Sequence, residues 1–93
     1  MKKVILSGYI QVQEEEIEAI KMALPEHTSK TLAEDGCLVF EVTENEDEIG
    51  VFSVYEEFES KEAFEQHQHR VKESEWGAIT KNVTRNYQVR HLE

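Results

Sequence analysis

The 93-residue chain holds 20 acidic and 10 basic residues, a formal net charge of −10, and one cysteine. That balance argues against a nucleic-acid groove, which needs a clustered basic face, and against an anionic membrane surface. A single cysteine, Cys37, leaves no intramolecular disulfide and suits a reducing cytoplasm. The length fits one domain, 1–93, with a core small enough that association with a second copy is a common remedy. The apolar run at residues 4–6 is too short for a signal peptide and soon gives way to Gln11, Gln13 and three glutamates. No stretch reaches the length of a membrane span.

In chain order, Val4 to Val12 reads as a strand rich in β-branched residues. Glu14 to Leu24 reads as a helix, with Ile17, Ile20 and Leu24 inward and glutamates at the end where the helix dipole favours them. Pro25 lacks an N–H and predicts a break there, followed by a second helix from about Pro25 to Ala33. Gly36 suits a helix C-terminus. Leu38, Phe40 and Val42 alternate with Cys37, Val39 and Glu41 in a second strand. The acidic run Glu44-Asn45-Glu46-Asp47-Glu48 reads as a solvated turn closed by Gly50; it lacks the spacing of a calcium loop. A third strand follows from Val51 to Phe58, making a hairpin. Ser60 is a good cap for a helix that puts Phe64, His67 and Val71 on one face. That helix pauses near Ser74, a short segment holds Trp76 and Ile79, and Val83 to Leu92 forms the last strand.

The order β-αα-β-β-αα-β predicts an α+β, ferredoxin-like fold: four antiparallel strands with helices on one face. The first strand offers Val4, Leu6, Ile10 and Val12 to one side, and Ile5 and Tyr9 to the other; the second is also apolar on both. Helices cover one face only, so the other is expected to meet a second subunit in a two-fold dimer.

Glu34-Asp35-Gly36-Cys37-Leu38, Glu56-Glu57-Phe58 and Ala63-Phe64-Glu65-Gln66-His67 resemble, in order and spacing, the antibiotic biosynthesis monooxygenase (ABM) domain family. Ser74-Glu75-Trp76-Gly77 and Arg85-Asn86-Tyr87 look like its quinol monooxygenase subgroup. The resemblance implies a dimeric α+β barrel, with a pocket between sheet and helices in each subunit. It implies a monooxygenase that oxidises a small aromatic quinol or anthrone-like substrate with O2 and no cofactor. Alternatives on the same fold are an isomerase of a small oxygenated metabolite and a non-catalytic small-molecule binding protein.

Cofactor-free oxygenation needs a base that turns a phenol or enol into an electron-rich anion, in a pocket that keeps water away. His67, a titratable imidazole on an apolar helix face, is the candidate base, and Glu56 the expected carboxylate partner. The competing reading is a structural histidine bonded to Glu56 or backbone. Trp76, Phe64, Tyr9 and Tyr87 are candidate substrate walls or core anchors. Ser7 is expected to open into the pocket from mid-strand. His27 faces inward only if the helix passes Pro25 unbent; otherwise it is a surface histidine. Asn82, Arg85 and Asn86 can orient a polar group or lie on an exposed strand. Cys37 reads as a small buried residue. His67 and His69 are two apart and cannot share a metal from a regular helix, and no other spacing suggests a metal site. Haem-degrading members resemble a pattern with a first-strand asparagine, where this chain offers Ser7 or Gln11; that departure counts against haem chemistry.

Overall fold

The computed structural model describes residues 2–92. The elements run β1 (Val4–Gln11), α1 (Ile17–Leu32), β2 (Cys37–Glu44), β3 (Val51–Phe58), α2 (Lys61–Lys72), α3 (Glu75–Ile79) and β4 (Thr84–His91), with a 3₁₀ turn at Glu14–Glu16 before α1. The strands form one antiparallel sheet in the order β2-β3-β1-β4, which is the expected ferredoxin-like topology. Leu6, Ile10, Phe52 and Val54 point from the sheet into the core, where Ile17 and Ile20 of α1 meet them. No described helix is long and apolar enough to cross a membrane.

The chain departs from expectation at three places. Pro25 does not divide the first helix: α1 runs unbroken from Ile17 to Leu32. The buried residues Ile17, Ile20, His27 and Thr31 keep one helical phase across it. Pro25 sits on the exposed side of the helix, so the carbonyl that loses its partner is on the solvent side, and packing of the opposite face holds the helix together. Gly36 lies four residues beyond the end of α1, at φ +88°, where an L side chain is strained and a Cβ would come within 2.6 Å of Ala63. In β2 the register slips between Cys37 and Val39, so Leu38 is a bulge. Cys37 therefore lies opposite Phe58, and Phe40 opposite Glu56, on the same face of β3; the simple alternation of Leu38 with Phe40 does not hold.

Candidate functional site

Side chains of β1, β2 and β3 that point towards the helices enclose, with α1, α2, α3 and one face of β4, a cavity of about 290 Å³. Its walls are largely apolar, including Leu6, Ile10, Phe40, Val42, Val54 and Val71. The polar groups reaching it are His27, Glu56, His67, Gln68, Thr80, Arg85 and Tyr87. A small, mostly apolar cavity with a few converging polar groups is the usual setting for a small-molecule site.

His67 reaches the cavity because Ser60 starts α2 at the right place. Ser60 is extended at φ −156°, and its Oγ accepts from the Ala63 N–H at 3.1 Å. Phe64 then falls one turn before His67 on the same face and packs edge-on against Phe58. The His67 ring is 2% exposed and lies 4.9 Å, centroid to centroid, from Phe58. Burial pulls its pKa below the ordinary histidine value, and the Glu34 bond only partly offsets this.

The partner of His67 is Glu34, in the loop after α1. His67 Nδ1 lies 2.7 Å from Glu34 Oε1. The same oxygen accepts from Arg70 Nη2 at 3.0 Å, and Arg70 Nη2 also donates to Thr31 at 3.0 Å. Burial pushes the Glu34 carboxyl up, but the bonds from Arg70 and His67 outweigh that and hold it below its ordinary value. An ionised carboxylate can only accept, so Nδ1 carries the proton and Nε2 of the neutral ring is a bare acceptor. This corrects the expectation that Glu56 is the bonded partner. Glu56 Oε1 is 3.7 Å from His67 Nε2, too long for a direct hydrogen bond. Glu56 itself is 6% exposed, and its Oε1 is buried without a hydrogen-bond partner. Burial, with repulsion from Glu34, raises its pKa to about 7.

His27 is buried, not on the surface, because α1 continues through Pro25. Its ring stacks on Trp76 with centroids 4.4 Å apart and planes 5° apart. Burial, then the charges of His67 and Arg70, lower its pKa to about 4, so it is neutral at pH 7. Trp76 stands where α3 begins, after the Ser74 cap on Gly77; it lines the cavity while one face is taken by His27. Phe64 and Tyr87 also line the cavity. Ser7 and Tyr9 do not: they pair with Tyr55 and Ser53 on the opposite face of the sheet and border a separate surface depression. Strand alternation decides this, since Leu6, Gly8 and Ile10 take the cavity side. Arg85 lines the cavity and donates to the Thr80 carbonyl and hydroxyl, at 3.2 and 3.1 Å. Asn82 instead bonds Glu16 outside it. Among the described residues, no group of three or more His, Cys, Asp or Glu is placed to hold a metal ion.

Arg70 carries no signal of its own in the sequence, and Glu34 stands there only as the first residue of the Glu34–Leu38 motif, with no site role. Arg70 follows His67 at i+3, a usable sign that the two share a face. Nothing local indicates that the loop holding Glu34 packs across that face.

The sequence profile of the antibiotic biosynthesis monooxygenase family matches residues 3–77. Among solved structures, a protein from Deinococcus radiodurans provisionally described as an antibiotic biosynthesis monooxygenase is 25% identical, with a TM-score of 0.75 over 97% of this chain and 90% of that one. MupZ from Pseudomonas fluorescens is 19% identical, with a TM-score of 0.79 over 96% of this chain and 71% of that one. A conserved Bacteroides thetaiotaomicron protein of unknown function, described as a possible oxidoreductase, is 20% identical, with a TM-score of 0.78 over 98% of both chains. No curated protein matches the chain. The latter two structural likenesses speak for the fold, but the profile spans most of the sequence and covers the Glu34–Leu38 and Ala63–His67 motifs together: the chain belongs to the antibiotic biosynthesis monooxygenase family.

Proposed function

We propose that this protein is a cofactor-independent monooxygenase that oxidises a small aromatic quinol with O2, using His67 as the base. One observation carries the reading: the Arg70–Glu34–His67 chain fixes the imidazole tautomer so that an unprotonated Nε2 is available in an apolar cavity. Nε2 takes the phenolic proton. The anion then gives an electron to O2, the two radicals combine at a ring carbon, and loss of water leaves a hydroxyquinone. The quinol supplies all four electrons, one oxygen atom enters the product and the other leaves as water, so no external reductant is needed. The apolar walls, including Val54 and Phe40, keep bulk water from the intermediate.

The same reading makes the working form a homodimer. Every residue of β4 is exposed in the single chain, including Tyr87 and Val89 on the cavity side. A second copy seated along this strand would remove that apolar surface from water and close the cavity.

The test is oxygen uptake with a panel of benzo-, naphtho- and anthracene-type hydroquinones. The expected result is protein-dependent O2 consumption in one-to-one ratio with quinol for at least one of them. Conversion that proceeds equally well without O2 would assign an isomerase instead. Binding without any conversion would assign a non-catalytic binding protein.

A further inference from the structure

Among the described residues, Glu56 is the one buried acid lining the cavity that the His67 chain does not use. Its Oε1 is sealed from solvent, has no hydrogen-bond partner, and lies 3.7 Å from His67 Nε2. A carboxylate left this way would be a buried, unpaired charge, which is strongly unfavourable. A protonated carboxyl lacks that penalty and offers an O–H donor beside the Nε2 acceptor. Both side chains line the cavity, and once the Glu56 carboxyl turns towards it, a donor and an acceptor about this far apart can both reach one oxygen at ordinary hydrogen-bond lengths of about 2.8 Å. A hydroxyl is the group that fits, since it donates to one and accepts from the other.

We infer that Glu56 acts as a neutral acid in catalysis: the ionising hydroxyl of a phenol or enol sits between His67 Nε2 and the Glu56 carboxyl, and Glu56 donates a hydrogen bond to the anion that forms. The inference rests on the reading of His67 as base. It replaces the expected role of Glu56 as a carboxylate that raises the basicity of His67. Proton transfer runs from the substrate O–H to Nε2. The Glu56 proton stays on Glu56 and stabilises the new oxyanion, a contribution that grows as charge develops.

The surroundings favour the neutral form. From the loop after α1, Glu34 repels a second negative charge, and burial acts the same way. From β2, Cys37 has its thiol pushed up by burial and by both carboxyls, so it stays neutral. From β4, the Tyr87 phenol is pushed up because its inner side packs against the cavity even though the residue is exposed on the outside, and Arg85 is the nearby cation. From α1 and α2, His27 and His67 are both lowered, so neither supplies a positive charge near neutral pH.

The experiment measures binding of 2-naphthol by calorimetry in the absence of O2, so that it stands apart from any failure of oxygen uptake. For the wild-type protein, Kd is expected to weaken by more than about tenfold between about pH 6 and pH 8.5, as Glu56 loses its proton. Glu56→Gln keeps an uncharged donor and is expected to bind at the pH 6 strength with no such dependence. Glu56→Leu removes the donor and is expected to bind at least about tenfold more weakly at pH 6. A wild-type Kd that is flat or tightens with rising pH would overturn the inference without need of any variant. So would a Glu56→Gln protein as weak as Glu56→Leu.

Discussion

At the scale of single residues, the site is built from groups with opposed environments. Glu34 has two hydrogen-bond donors and stays ionised; Glu56 has none and keeps its proton to about pH 7. Two carboxyls within reach of one imidazole thus take different roles. The difference also appears in stability. The folded chain holds the Glu56 proton up to about pH 7, whereas the ordinary value is 4.5. The native state therefore binds the extra proton across that window, and stability falls as pH rises through it. Glu56→Gln should remove this decline, so its melting temperature relative to wild type should climb from pH 5 to pH 8. His27 works in the other direction. Its folded value of about 4 lies below the ordinary 6.5, so the unfolded chain binds more protons between the two and stability falls as pH drops. His27→Phe keeps the stack on Trp76 and should flatten that acid limb; thermal melts at pH 4.5 and 6.5 check it. Glu34→Gln leaves His67 without its carboxylate partner. It should lower kcat by roughly tenfold or more, with a shifted pH–rate profile, while KM changes little.

At the scale of elements, the sequence was most legible where local chemistry and packing agree. Ser60 reads as a cap and acts as one, and the pause expected near Ser74 is where the Ser74 side chain caps α3. The Phe64–His67 face of α2 points to the core as its spacing requires. The sequence misled where tertiary packing overrode a local rule. Pro25 predicts a break, but the inward stripe from Ile17 to Thr31 keeps α1 whole, and with it carries His27 to Trp76. The bulge at Leu38 has no sequence signature, and it alone reverses the parity of Cys37. A polar residue in an apolar strand such as Ser7 reads as pocket-facing, but alternation with Leu6 puts it on the other face. The junction of α2 and α3 is tight: a Cβ on Gly77 would come within 2.1 Å of the Val71 carbonyl. Gly77→Ala should therefore push α3 away from α2, cost about 1 kcal/mol or more, and alter the Trp76 near-ultraviolet circular dichroism as its stack on His27 loosens.

At the scale of the whole molecule, β4 is the unfinished part. Helices cover the sheet over β1, β2 and β3, while β4 is exposed along its length and contributes Arg85, Tyr87 and Val89 to the cavity edge. Light scattering after gel filtration should give twice the 10.9 kDa chain mass at micromolar concentration. Tyr87→Glu with Val89→Glu should shift it to the monomer. The sequence indicated apolar groups on both faces of the sheet, and Tyr9 and Ile5 are indeed on the outer one. It could not show which strand is left uncovered, because that depends on where three helices settle. The same limit hid the most consequential contact, between Glu34 and His67, which are 33 positions apart and joined only by the fold.

We propose that His67, oriented by Glu34, is the base for an O2-dependent oxidation in this cavity. Its most direct test is the initial rate of O2 uptake, with the best quinol of the panel, by wild type and by His67→Ala at equal concentration of folded protein. The rate of the variant is expected to be lower by roughly 10²–10⁴-fold. A variant that consumes O2 as fast as the wild type would contradict it.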